Sequence, residues 1–245
     1  MKLDRCTLGA GVDIPFPAAQ VTIHAPTIKE IALIGESNFH IGLELLNCQA
    51  NNVISDMDKT VQKDITNFDI LMSMMVHREQ PTVAENAQKV ELVLSLLFPN
   101  YQLTFYPNGI VFKKDDEEAF LKKEDYNDFQ SIITQLFKLD AFREDSAEFN
   151  PNGNMAAAIA EKLKQGREKV AAQKNNSNIE IIVFEHYISI LAVGQKRDKN
   201  SFYLYTPWQL YDEFERYIKK YNWDITITAK MNGAKDIKEA DNWME

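Results

Sequence analysis

Met57, Val61, Ile65, Phe68, Met72 and Met75 recur at intervals of 4, 4, 3, 4 and 3 residues, one stripe of a helix predicted from Ser55 to His77. Ser55 and Asp58 supply a cap for its start. Pro81 separates it from a second periodic run, Val83, Ala87, Val90, Leu94 and Leu97, in which Thr82 and Glu85 have capping spacing and Pro99-Asn100 marks the stop. So short a link predicts an antiparallel helix pair. Upstream, Thr27 and Glu30 form a capping-box pattern ahead of Ile28, Ile31 and Ile34, and Gly35 can end that turn. A further helix is expected near Ser37, burying Ile41, Leu45 and Leu46.

Downstream, Tyr126, Phe129, Ile133 and Leu136 predict a helix, as do Tyr211, Phe214, Ile218 and Tyr221, with Trp208 where that helix begins. Ala-rich Met155 to Lys174 carries Ile159, Leu163 and Val170 on a narrow stripe. Strand signals are fewer. The first 25 residues read as irregular or extended, with Val21 to His24 as a short strand. Leu103 to Tyr106 and Ile110 to Phe112 flank Pro107-Asn108-Gly109, a hairpin in which Asn and Gly can supply positive φ. Ile179 to Val193 is rich in strand formers. Trp223 to Thr228 alternates like a strand, although Asn232-Gly233 after it resembles a helix end. The fold class expected is mainly α (α+β): antiparallel helix pairs with a small β-hairpin. Two exposed stretches, Arg143 to Asn154 and Gln173 to Asn178, are the candidate boundaries. They suggest an N-terminal helical part with the hairpin (1–142) and a C-terminal helical part (155–245), or one continuous domain.

Composition narrows the function classes. Over 245 residues the formal net charge is −9, which repels a polyanion, so non-specific nucleic-acid binding is not expected. The one basic stretch, Lys162, Lys164, Arg167, Lys169 and Lys174, has no interleaved aromatics for base stacking and reads as a solvated helical face. No apolar run is long enough for a membrane helix, and no signal peptide follows Met1, so the expected compartment is the cytoplasm. Cys6 and Cys48 cannot build a disulfide framework and are read as free thiols.

No cofactor or metal is expected. Gly9-Ala10-Gly11 lacks the strand–turn–helix frame of a dinucleotide fingerprint, and a P-loop is absent. His24, His40, His77 and His186 lie far apart, and Glu185-His186 on a strand would point to opposite faces. Asp115 to Glu118 lacks the ligand spacing of a calcium loop and reads as a solvated acidic stretch. No nucleophile elbow is present. These readings favour a protein that is not an enzyme.

Two features favour protein binding. Met57, Met72, Met74 and Met75 cluster on one predicted helix, and thioether side chains adapt to varied apolar partners. Met74 falls off the main stripe and can face outward, whereas core packing is the competing reading for Met72 and Met75. Near the C-terminus, Ile237, Ala240, Trp243 and Met244 could form the apolar side of a short helix that docks on a partner or on the chain itself. Trp208 completes the candidate partner-binding set. A homo-oligomer is compatible with these faces.

Pro26-Thr27-Ile28-Lys29-Glu30-Ile31 with Ile34-Gly35-Glu36 and Phe39, then Ile188-Ser189-Ile190-Leu191 and Tyr205-Thr206-Pro207-Trp208-Gln209-Leu210-Tyr211-Asp212-Glu213-Phe214-Glu215-Arg216, Ala229 to Asp236 and Asp241-Asn242-Trp243-Met244, stand in an order that resembles a known group. It is the tail assembly chaperones of long-tailed, siphovirus-type phages of Gram-positive bacteria. The resemblance touches both ends of the chain and, in the middle, only its helical character. It implies a non-enzymatic role in the host cytoplasm: binding the long, helical, aggregation-prone tape measure protein and keeping it soluble until tail-tube subunits assemble around it. Such proteins often arise as shorter and longer frameshifted products, and this chain fits either. A structural tail or connector component and a phage DNA-processing enzyme are the alternatives.

Overall fold

The computed structural model describes residues 2–49, 65–139 and 183–234. Asp4 opens the first helix, α1 (Arg5–Ala10), its carboxylate accepting the backbone N–H groups of Cys6 and Thr7, and Gly11 at φ 64° closes it. The residues expected to be irregular thus hold a helix, and Gly9-Ala10-Gly11 is its end. Two short antiparallel strands follow, β1 (Ile14–Phe16) and β2 (Val21–Ile23), with Ile14 opposite Ile23. Then come α2 (Ile28–Ile34) and α3 (Glu36–Leu46). The predicted capping box is present: the Thr27 hydroxyl accepts the Glu30 N–H, and the Glu30 side chain accepts the Thr27 N–H. On α3, Leu46 is buried as predicted, but Phe39 and Leu43 join it while Ile41 and Leu45 are half-buried.

The helix expected from Ser55 is not continuous to His77. Residues 65 and 66 are non-helical, and Thr66 caps α4 (Asn67–Val76) in a capping box with Asp69. Ser55 and Asp58 lie outside the described residues. After a four-residue turn, α5 (Pro81–Leu97) begins with Pro81 in the first turn, where its missing N–H costs nothing. Gln80 therefore occupies the cap position, and no side chain, Thr82 included, caps this helix. Ala87, Val90, Val93, Leu94 and Leu97 are buried along α5, close to the predicted stripe.

A three-stranded antiparallel sheet follows: β3 (Gln102–Tyr106), β4 (Gly109–Lys114) and β5 (Glu117–Lys122), with Leu103 opposite Phe112 and Ile110 opposite Leu121. The predicted hairpin is there, but the turn is Pro107-Asn108 and neither Asn108 nor Gly109 has positive φ. Gly109 is needed for space instead: a β-carbon would lie 2.2 Å from the Leu121 carbonyl oxygen. The acidic stretch Asp115 to Glu118 is not merely solvated. Asp115, at φ 52°, turns the chain, and Glu117 and Glu118 begin β5 opposite Lys114 and Lys113.

α6 (Tyr126–Leu136) buries all four of its predicted positions. The chain resumes with α7 (Phe184–Gln195), a helix where strand was expected, because Phe184, Tyr187, Ile188 and Leu191 share one buried face. The last described helix is α8 (Pro207–Met231), opened by a Thr206–Gln209 capping box. It runs through Trp223 to Thr228, which are therefore not a strand, and ends at Asn232-Gly233 as predicted. The chain is mainly α with two small antiparallel sheets.

One buried cluster joins both parts of the chain, from Leu3 to Phe214. Aromatic rings carry much of it: Phe39 meets Phe137 edge-on at 5.3 Å, Phe98 meets Phe112 at 4.7 Å, and Tyr187 meets Phe214 at 4.3 Å. Each fully buried ring of this kind contributes about 1.5–3 kcal/mol of apolar transfer. Polar links tie the N-terminal residues to α6 and α8, and the end of α6 to α8. The Leu3 N–H donates to Gln135 at 2.8 Å, Arg5 pairs with Asp212 at 2.8 Å, and Lys138 pairs with Glu215 at 2.6 Å. The proposed boundary stretches, Arg143 to Asn154 and Gln173 to Asn178, and the basic Met155 to Lys174 run lie outside the described residues.

Candidate functional site: the groove between α4 and α5

Beside the turn from α4 to α5 lies a groove of about 720 Å³. Its apolar lining is Ile65, Ile70, Met74 and Val83. Ile65 and Ile70 stand on either side of the Thr66 cap, at the two positions where apolar residues commonly flank a helix start. Met74 is half-buried, off the core-facing stripe as predicted. Two carboxylates, Asp69 and Glu79, belong to the lining, together with His77 and Asn86; among the described residues neither a lysine nor an arginine does. Val76 beside it is 59% exposed.

Local bonds hold this groove in shape. The Arg78 Nε donates to the Met75 carbonyl at 2.9 Å while its Nη2 meets Glu91 at 2.5 Å, which pins the turn to the middle of α5. At the other end Lys123 Nζ meets Asp69 Oδ1 at 2.6 Å, fixing the start of α4 to the turn after β5. Burial pushes the Asp69 carboxyl up, but its bonds from Lys123 and Thr66 outweigh that and hold it below the ordinary value. Asp69 is thus ionised and already partnered. Among the described residues Glu79 has no ion-pair partner, so it carries the unshared charge of the rim.

The sequence-predicted partner-binding residues separate. Met72 and Met75 are buried at 7% and 5% exposure, facing the core, and Trp208 is buried at 8% beneath the Lys138 ammonium, 5.8 Å from its ring centroid. Of the four that the structure describes, Met74 lines the groove. Trp243 and Met244 lie outside the described residues. Sequence reasoning missed Ile70, Val83 and Glu79 as groove residues. The paired Thr66/Asp69 cap was the available signal for Ile65 and Ile70.

Other clusters of ionisable groups hold elements together. Glu185 bonds Lys199 and, at 2.6 Å, Tyr203, joining α7 to the 3₁₀ segment Lys199–Leu204. Those bonds from Lys199 and then Tyr203 hold Glu185 below its ordinary value, and accepting the Tyr203 hydroxyl pushes that phenol up to about 12. His186 is exposed on the same helix, where a strand was expected. His24 lies between two carboxylates, Nδ1 at 2.8 Å from Asp13 and Nε2 at 3.2 Å from Glu30. Cys6 and Cys48 are not joined in a disulfide. Among the described residues no group of three or more His, Cys, Asp or Glu is placed to hold a metal ion, and no helix is long and apolar enough to cross a membrane.

Fold and groove define a mainly α protein with small antiparallel sheets and an acidic-rimmed apolar cleft. No protein-family model, curated protein or solved structure matches the chain.

Proposed function

We propose that the chain is a phage tail assembly chaperone that binds the tape measure protein and keeps it soluble during tail morphogenesis. The observation that supports this reading is a juxtaposition. The two stretches that resemble that group are far apart in sequence, yet the Ile28 N–H donates to the Tyr205 carbonyl at 2.8 Å. The two capped helix starts, at Thr27 and Thr206, therefore sit side by side. The α4–α5 groove is the surface through which such a protein meets its partner: a pinned, apolar cleft with an adaptable methionine in its wall.

Co-expression with the tape measure gene of the same morphogenesis module tests the reading. The expected outcome is a several-fold rise in the soluble fraction of the tape measure product, with this chain missing from purified virions. Unchanged solubility overturns the proposal. A fixed stoichiometry in finished particles would instead assign the chain to the tail or connector structure.

A further inference from the structure

We infer that the α4–α5 groove takes one helical segment of a partner protein: an amphipathic helix whose apolar stripe is flanked by lysine or arginine. This rests on the reading that the groove is the partner-binding surface, and adds the chemistry of what binds there. Length is the first argument. Apolar lining extends from Ile65, before α4, to Met74 in its last turn, and α4 itself has ten residues, about 15 Å of helix. Anchors at i, i+3 or i+4 and i+7 of a helical ligand span about 10.5 Å, which fits along that wall. Charge is the second. Asp69 is already neutralised by Lys123, but Glu79 belongs to the lining with no ion-pair partner among the described residues, and the chain as a whole carries −9. A helix flanked by carboxylates would meet like charge at the rim, whereas a lysine-flanked one gains an ion pair with Glu79 and steering by the overall field. Shape is the third. Met74 is unbranched and half-buried, so its thioether can move with the ligand, while the Arg78–Glu91 and Lys123–Asp69 pairs keep the walls in place.

Two synthetic helical peptides of roughly 18 residues, about 27 Å of helix, serve as probes. They share one Leu/Ile stripe and differ only in carrying Lys or Glu beside it. Titrated against the full chain at low salt, the Lys-flanked peptide is expected to bind about tenfold more tightly, with the gap closing as salt is raised. Glu79→Lys should narrow or invert that preference without moving the thermal midpoint, and Met74→Lys should weaken binding of the Lys-flanked peptide at least about tenfold. Equal binding of the two peptides, binding indifferent to Met74→Lys, or no binding by either overturns the inference. So does a concentration-dependent dimer broken by Met74→Lys, which would place a second copy in the groove. A positive co-expression result alongside a negative peptide titration would leave the chaperone reading intact and remove only this site, so the two failures are distinguishable.

Discussion

The backbone of Gly42 on α3 lies directly against the carbonyl of Lys89 on α5: a β-carbon at position 42 would stand 2.4 Å from that oxygen and 2.7 Å from a methyl of Val93. This is the crossing point of the most extensive helix–helix contact among the described elements. Helix propensity alone favours Gly42→Ala by about 1 kcal/mol. Overpacking against backbone opposes it by about 1–3 kcal/mol and more where nothing can move, and a carbonyl cannot rotate away. The substitution is therefore expected to destabilise, lowering the urea midpoint with an unchanged slope. A stabilised variant would mean that α3 and α5 do not cross this closely.

Glu36 performs a cap across the chain. Its Oε1 accepts the N–H groups of Val183 and, at 2.7 Å, Phe184, the start of a helix whose own cap position offers no side-chain acceptor. Glu36→Ala leaves those donors open and should cost about 0.5–2 kcal/mol, the usual range for a lost cap. Glu36→Gln keeps an acceptor and should cost less. Amide exchange separates this from a diffuse effect: protection should drop first at Val183 and Phe184, with residues of α5 following only the global change.

Signals that act within one turn of chain were legible in the sequence. Thr27 with Glu30, and Asn232-Gly233, satisfy or release backbone groups locally, so their residue types alone identify helix ends. α7 was misread for the opposite reason. Ile188, Ile190 and Val193 raise strand propensity, but burial of Phe184, Tyr187 and Leu191 on one face and the distant carboxylate of Glu36 decide in favour of helix. β5 was hidden because only Leu121 among its six residues is fully buried, so its charged residues looked like a loop. Of the groove, Met74 could be read as off the stripe. Val83 and Glu79 could not, since their role depends on how the His77–Gln80 turn sets α5 beside α4, which no local pattern encodes.

Four carboxylates predict an acid-sensitive fold. In Glu30, Asp69 and Asp212 burial pushes the pKa up, but hydrogen bonds from Thr27, Lys123 and Arg216 respectively lead the contributions that bring it below the ordinary value; in Glu185 the bond from Lys199 is the largest effect. A depressed folded-state pKa means the unfolded chain binds more protons over that interval, so stability rises with pH there. The contribution is fully present above the ordinary values of 4.5 for Glu and 3.8 for Asp, and is lost as pH falls through the lower folded-state values. Urea midpoints measured downward from neutral pH should hold and then fall below about 4.5. Asp212→Asn, which removes a carboxylate shared by Arg5 and Arg216, should make that fall shallower.

Tyr203 predicts the alkaline limb with the opposite sign. Its phenol is pushed from 10.0 to about 12 chiefly because it donates to Glu185, so its stabilisation is present below 10 and is lost as pH rises through the folded value. Tyr203→Phe should remove this part of the alkaline dependence. In the wild-type chain, ultraviolet titration should show a tyrosine ionising near 12 that is missing from the variant.

Trp208 and Met74 were both expected to meet a partner, and their surroundings predict that they will behave differently. Trp208 starts α8, is 8% exposed, and lies under the cation that Lys138 shares with Glu215. Truncating it to Ala opens a cavity and should cost about 3–5 kcal/mol, enough to threaten folding of a domain of ordinary stability. Met74 is half-buried on the groove wall, where it packs against the edge of the core, so Met74→Ala should cost less than the Trp208 truncation, about 1–2 kcal/mol. Thermal unfolding checks both values directly, and soluble co-expression with the tape measure product supplies the functional half. Met74→Ala should retain the fold and lose part of the solubilising effect, whereas Trp208→Phe, which keeps an aromatic ring in the core, should retain both. A Trp208→Ala variant as stable as the wild type would mean that the start of α8 is not packed against Lys138 and the core, and would return Trp208 to the set of candidate docking residues.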